Sequence, residues 1–138
     1  MRGIKLINGI SHITFIVKDL EKATMFFQEI FGAKEVYYSG DKKFSLSKEK
    51  FFLINDIWIA AMEGEEIERS YNHLAFKIDE SDYEIYLNRI HNLGLDIKPS
   101  RKRVIGEGNS IYFYDYDNHL FELHTGTLED RLLRYSEE

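Results

Sequence analysis

Cysteine is absent from the 138-residue sequence, and proline occurs once, at Pro99. Without cysteine, the chain can form neither disulfide bonds nor a metal site built from thiolates. Long apolar runs are also missing, since the most apolar stretch, residues 51–62, is interrupted by Asn55 and Asp56 and is too short to span a bilayer. The N-terminus shows neither the apolar core nor the cleavage site of a signal peptide, and we therefore expect a cytoplasmic protein with no membrane partner.

Positive charge is in short supply as well. The chain has 18 lysines and arginines against 24 acidic residues, a net charge of -6, which argues against general binding to nucleic acid. One basic cluster, Lys98 with Arg101, Lys102 and Arg103, runs against this balance. Hydrophobic residues make up 43% of the chain and aromatic residues 14%, which is typical of a folded globular domain.

A repeat organises the chain. His12 lies on an alternating strand, residues 9–17, followed by an amphipathic helix that ends at Gly32. The same order returns with His73 on a strand at residues 71–78 and a second helical stripe that ends at Gly94. The histidines are 61 positions apart and the glycines 62, which predicts an α+β fold of two βαβββ modules. We expect a single domain over residues 1–138, with modules at about residues 9–62 and 70–125 and a terminal helix at about 127–135.

Local signals predict the remaining elements. Asp19 is a helix cap, and Ser81 and Glu84 have the spacing of a capping box. Thr127 and Asp130 have the looser Thr-x-x-Asp form of that spacing at the terminal helix. Further strands are predicted near 34–38, 44–54, 56–62 and 110–114.

The stretch from Asp115 to His124 predicts a tight turn followed by a strand whose alternation puts Leu120, Glu122 and His124 on one face. A carboxylate in an apolar strand is costly to bury unless a positive charge offsets its desolvation. A divalent metal bound by His12, His73 and Glu122 would provide that charge.

Two histidines and one carboxylate leave coordination positions open for a substrate, and subtracting the repeat offset of 61 from Glu122 gives Ala61, which is no ligand. Three ligands and a gap indicate catalysis rather than a structural ion. The alternative is that both histidines are ordinary core residues with satisfied hydrogen bonds.

Three segments then resemble the vicinal oxygen chelate superfamily, which has the glyoxalase fold, and more closely its fosfomycin resistance proteins. They are Ser11-His12-Ile13-Thr14, Tyr71-Asn72-His73, and the run from Ser110 through Asp115 to Glu122-Leu123-His124; the end of the chain, 126–132, also fits. The resemblance implies a homodimer with swapped modules, in which the first histidine comes from one subunit and the second histidine and the glutamate from the other. It also implies Mn(II) as the metal, although other divalent ions suit the same ligands.

Residues 44–52 look like the corresponding segment of the FosX type, whose members open the epoxide of fosfomycin with water. The resemblance makes Glu49 the general base for that water and the product a vicinal diol phosphonate. The alternative is that Glu49 is one charge of a solvated Lys-Glu-Lys turn.

The resemblance also implies the contacts of the substrate. It assigns the phosphonate to Lys102 (or a neighbour within Arg101–Arg103), Ser110, Tyr112 and Arg131, and the pocket wall to Thr14 and Trp58. Trp58 could instead be an ordinary core residue, and Arg131 a surface charge of a helix.

Three other functions remain open at this point. A thiol transferase, using glutathione or bacillithiol, would share the metal but would not need Glu49. An extradiol dioxygenase would share the metal triad but should lack the basic loop. A metal-free drug-binding module of the bleomycin-binding kind should lack His12, His73 and Glu122.

Overall fold

Two four-stranded mixed sheets form the framework of the computed structural model, which describes residues 6–42, 44–99, 105 and 107–137. The first module consists of β1 (His12–Val17), α1 (Leu20–Phe31), β2 (Lys34–Tyr38), β3 (Glu49–Ile54) and β4 (Ile57–Glu63). The second consists of β5 (His73–Lys77), a 3-10 turn (Glu80–Asp82), α2 (Tyr83–Asn92), β6 (Ile97–Lys98), β7 (Ser110–Tyr114) and β8 (Leu120–His124), and α3 (Leu128–Ser136) follows it. The strand orders β1-β4-β3-β2 and β5-β8-β7-β6 are equivalent, which confirms the predicted pair of βαβββ modules.

Helix α1 forms where its capping signals predict. The Asp19 side chain accepts hydrogen bonds from the backbone N–H groups of Glu21 and Lys22, and Gly32 ends the helix at a φ of 62°. The buried face of the helix has helical spacing and consists of Leu20, Ala23, Phe26, Phe27 and Ile30.

The capping box predicted for α2 is wrong. Ser81 lies inside the 3-10 turn, and the residue at the N-cap of α2 is Asp82, whose side chain makes no capping hydrogen bond. The extra turn moves the start of the α-helix to Tyr83, one position too late for Ser81 to cap it. At α3 the prediction is confirmed, because the Thr127 hydroxyl accepts from the backbone N–H of Asp130.

Two strands differ most from expectation. Strand β3 begins at Glu49 rather than near residue 44, and β6, which has only two residues, was not predicted. Two residues are too few to show alternation, so β6 could not be recognised by pattern, although it completes the second module.

An aromatic core joins the modules. Phe121 of β8 lies 5.2 Å from both Phe15 of β1 and Phe26 of α1, measured between ring centroids, and it is fully buried. The backbone N–H of Lys18 also donates to the buried Asp117 carboxylate across the modules, and burial raises the pKa of that carboxyl. One face of each sheet thus packs in the shared core, and the opposite faces are available to carry functional residues.

In the described part of the chain, no helix combines the length and apolarity needed to cross a membrane.

Candidate metal centre

Strand register puts the predicted metal ligands on the sheet faces that point away from the core. In the first sheet β1 runs parallel to β4, with His12 opposite Trp58 and Thr14 opposite Ala60. In the second sheet β5 runs parallel to β8, with His73 opposite Leu120 and Ala75 opposite Glu122. Residues in register share a face, so His73 and Glu122 lie diagonally on neighbouring strands of one surface.

The His73–Glu122 pair has the geometry of a cation site. His73 Nδ1 lies 2.7 Å from the Tyr71 carbonyl oxygen, which can only accept, so Nδ1 carries the proton. In the neutral imidazole the other ring nitrogen, Nε2, then presents a lone pair to a Glu122 carboxylate oxygen only 3.0 Å away. Two electron-rich atoms at this separation fit a shared cation, and a carbonyl that fixes the tautomer is the usual outer support of a metal-binding histidine.

Strand β7 brings two of the predicted substrate contacts beside this pair. Ser110 donates to the second oxygen of Glu122 over 2.5 Å, and Tyr112 lies in register with Glu122. The rings of Tyr112 and His73 are 5.4 Å apart in an edge-to-face arrangement. The structure therefore brings Ser110, Tyr112, His73 and Glu122 together on one surface.

Arg131 reaches the same surface from α3. Its Nη2 lies 3.3 Å from Nε2 of His124, and its Nε lies 3.9 Å from the Glu107 carboxylate. The Tyr135 hydroxyl, one turn further along α3, donates to that carboxylate over 2.6 Å. Arg131 is thus held at the edge of the site and does not behave as a free surface charge.

Sequence reasoning assigned no role to His124 or Glu107. Alternation placed His124 on the Glu122 face, and His124 also ends one of the segments that carry the resemblance, but neither signal gave it a role. Glu107 is almost fully buried, with 1% exposure, and no local pattern in the sequence indicates this.

His12 is on the other sheet, away from the His73–Glu122 pair. Its ring stacks on Trp58 at 4.1 Å, and its Nδ1 lies 2.9 Å from the Ser11 hydroxyl. Within the described ranges, no group of three histidine or acidic side chains is close enough to hold a metal. Neither histidine is buried, so the core-histidine alternative does not fit.

The first sheet carries three further predicted residues on the face of His12. Thr14 follows His12 by two positions, Trp58 is half-buried beneath the His12 ring, and Glu49 lies in register with Met62, which is itself in register with Ile16 of β1. Glu49 is only 7% exposed, and its backbone N–H donates to the Ser39 hydroxyl.

The alternative interpretation, in which Glu49 is one charge of a solvated Lys-Glu-Lys turn, is therefore wrong. The following residue, Lys50, is 4% exposed and points to the opposite face, where it donates to Glu21, Thr24 and Glu35.

The repeat offset used for the missing ligand needs one correction. His12 is opposite Trp58 whereas His73 is opposite Leu120, so the strands that face the histidines are offset by 62 positions rather than 61. The equivalent of Glu122 is then Ala60, since Ala61 faces the core. The position is still an alanine, so the first module still supplies no carboxylate there. Lys102 and the rest of Arg101–Arg103 lie outside the described residues.

Comparison with known proteins places this geometry among relatives. Residues 9–123 match the profile of the Glyoxalase/Bleomycin resistance protein/Dioxygenase superfamily. The chain is 64% identical over 131 residues to the fosfomycin resistance protein FosX of Listeria innocua, covering 94% of this chain and 98% of that protein. It is 39% identical over 136 residues to the metallothiol transferase FosB of Shouchella clausii, covering 94% of this chain and 88% of the transferase.

A solved structure is similar over the same range. It is a mutant of FosX from Listeria monocytogenes in complex with Mn(II) and 1S,2S-dihydroxypropylphosphonic acid. The TM-score is 0.87 at 59% identity, and the alignment covers 94% of this chain and 99% of that chain.

Proposed function

Since the chain belongs to the Glyoxalase/Bleomycin resistance protein/Dioxygenase superfamily, among its fosfomycin resistance proteins of the FosX type, we propose that it is a Mn(II)-dependent epoxide hydrolase. Its substrate is fosfomycin and its product a vicinal diol phosphonate, so that its activity confers resistance to the antibiotic. The dihydroxypropylphosphonic acid in the Listeria monocytogenes FosX structure is the diol that water forms from such an epoxide.

The observation that carries the proposal is the His73–Glu122 pair with Ser110 and Tyr112 beside it. An imidazole lone pair and a carboxylate oxygen 3.0 Å apart suit a divalent cation. Mn(II), when bound there, supplies a Lewis acid for the oxygen of the epoxide. His73 and Glu122 hold the ion from one chain, and His12 of a second chain is the third ligand.

The protein's own residues orient the phosphonate and deliver the water. Tyr112 offers a hydroxyl group and Arg131 a guanidinium to the anionic phosphonate, with Lys102 as a further cation. Ser110, whose hydroxyl proton goes to Glu122, orients that metal ligand beside them. Thr14 and Trp58 line the pocket on the sheet that carries His12. Glu49, on the same face as those two residues, removes a proton from the attacking water.

The runner-up function is thiol transfer to the same epoxide. The 39% identity to the FosB transferase supports this second function, but the 64% identity to FosX of Listeria innocua is much higher. A buried glutamate on the site face also favours hydrolysis, because a thiolate needs no general base.

Product mass separates these functions. Purified protein is incubated with Mn(II) and fosfomycin, once without thiol and once each with glutathione and bacillithiol. We expect the mass of fosfomycin plus one water in all three samples. A product that forms only with a thiol, and carries its mass, would establish the transferase instead.

Metal dependence is tested with the same assay. Chelated protein should form no diol, and added Mn(II) should restore the activity. His73→Ala and Glu122→Ala should each abolish tight binding of Mn(II). Electron paramagnetic resonance measures this binding. Full activity after chelation would overturn the assignment of the site.

A further inference from the structure

His124 connects two halves of the site that the proposed function keeps separate. We propose that His124 is a positioning residue, which holds Arg131 with one ring nitrogen and Ser110 with the other. The inference rests on the proposed function, since it takes Arg131 as a contact of the phosphonate and Glu122 as a metal ligand.

The direction of each hydrogen bond follows from elementary chemistry. Ser110 has a single hydroxyl proton, and the 2.5 Å contact with the Glu122 carboxylate uses it, because a carboxylate only accepts. Ser110 must therefore accept from Nδ1 of His124, which lies 2.7 Å from its Oγ. Nδ1 carries a proton, and the same nitrogen lies 3.4 Å from Glu122.

The contact of Nε2, the second ring nitrogen of His124, with Arg131 also bears on the tautomer. A guanidinium can only donate, so Nη2 of Arg131, 3.3 Å from Nε2 of His124, needs a lone pair there. These two contacts together fit the tautomer with the proton on Nδ1 and the lone pair on Nε2. A continuous chain of donors then runs from Arg131 through His124 and Ser110 to Glu122.

Packing holds the ring in the orientation that this chain requires. The side chain of His124 is 15% exposed, and β7 pairs Ser110 directly opposite it. A Cβ placed on Gly126 would lie 2.8 Å from Nε2, so the backbone after β8 closes against the ring and leaves no space for a side chain. Mutation of a residue that hydrogen-bonds to a metal ligand commonly lowers metal affinity or activity by about tenfold to a hundredfold.

Two amide variants separate the two ring nitrogens. In His124→Asn the side-chain amide occupies the place of Nδ1 and can still donate to Ser110, but nothing remains at Nε2. In His124→Gln the amide occupies the place of Nε2 and its oxygen can accept from Arg131, but the donor to Ser110 is lost.

The experiment measures two affinities for each variant. Binding of Mn(II) is followed by electron paramagnetic resonance, and binding of fosfomycin to the Mn(II)-loaded protein by calorimetry. The melting temperature of each variant is recorded to confirm folding, and KM and kcat are determined alongside.

A crossed pattern is expected. His124→Gln should weaken the binding of Mn(II) about tenfold or more, since Ser110 loses the donor that positions it against Glu122, while fosfomycin binding to the Mn(II)-saturated protein stays near wild type. His124→Asn should keep the Mn(II) affinity and raise the dissociation constant and KM for fosfomycin about tenfold, since Arg131 loses its acceptor.

Two results would overturn the inference: both variants lowering the two affinities alike, which marks a merely structural histidine, or neither variant changing them. Failure of the proposed function gives a different result. A wild-type protein that binds Mn(II) and fosfomycin but forms no diol contradicts the hydrolysis, and the crossed pattern, which needs no turnover, still decides the role of His124.

Discussion

Glu49 shows how much a single residue decides. It is one of two adjacent charged side chains at the start of β3, both buried but on opposite faces of the sheet. Lys50 is neutralised by Glu21 and Glu35 on the core side, and these contacts hold its pKa above the usual value despite its burial. Glu49 instead shares the face of His12, where a base for water is needed.

Replacing Glu49 with glutamine keeps the size of the side chain and removes its ability to take a proton. We expect fosfomycin hydrolysis to fall about a hundredfold to ten-thousandfold, the usual contribution of a positioned base. Mn(II) binding should change little, because Glu49 is not one of the proposed ligands. Both are measured by steady-state kinetics and metal titration.

Glu63→Gln is the matched control. Glu63 ends the neighbouring strand β4 and is exposed, so the same chemical change there should leave the rate unaltered. If Glu49→Gln hydrolyses fosfomycin at the wild-type rate, Glu49 is not the general base.

Among the elements, the loops around β7 and β8 are unusually close. A Cβ on Gly108 would lie 2.6 Å from the backbone nitrogen of Gly126, and one on Gly126 would lie 2.5 Å from the carbonyl oxygen of Glu107. The loop that carries the Glu107 anchor of α3 therefore packs backbone against backbone on the loop that leads into α3. This contact holds the start of α3, the helix that carries Arg131, against the loop that leads into β7.

Gly126→Ala should force these loops apart. We expect a loss of about 1–3 kcal/mol in the free energy of unfolding from overpacking, together with weaker fosfomycin binding, because α3 and Arg131 shift. Denaturant unfolding and calorimetry measure the two effects.

Gly32→Ala provides the comparison within the same chain. At the end of α1 a Cβ meets no atom within 4 Å, and the φ of 62° alone is unfavourable for alanine, by about 1–2 kcal/mol. This variant should lose stability and keep its affinity for fosfomycin. Equal effects of both glycine variants on that affinity would show that the β7–β8 loop contact has no special role in the site.

At the scale of the whole molecule, the distribution of ligands over two sheets matters most. One chain brings His73 and Glu122 together, while His12 stacks on Trp58 in the other sheet. A homodimer with swapped modules would place His12 of the second chain against this pair. We therefore propose that the complete site is shared between two subunits.

Mixing two inactive variants tests the shared site. His12→Ala and Glu122→Ala should each be inactive alone. After subunit exchange, each mixed dimer should contain one intact and one doubly defective site, so that about a quarter of all sites recover. Diol formation before and after mixing is the measurement. No recovery, despite exchange shown by mass spectrometry, or a monomer in sedimentation, would contradict the shared site.

The sequence by itself determined helix α1, the order of the two modules and the faces of the strands that carry the site. Helix α1 follows from its apolar stripe between Asp19 and Gly32, and the repeat of βαβββ order follows from the spacing of His12 and His73. Alternation also put Glu122 and His124 on one face. These signals are local, since the helical period and strand alternation act over a few residues.

The tertiary structure decided the pairing. Strand register depends on loop lengths and on packing across the core. The observed register of β4 and β8 makes Ala60, and not the expected Ala61, the position equivalent to Glu122. The link from Arg131 through His124 to Ser110 joins two strands and a helix, and the separation of His12 from His73 follows from how the two sheets dock on the shared aromatic core. Such contacts form only when distant segments close together, and for that reason no local pattern in the sequence could reveal them.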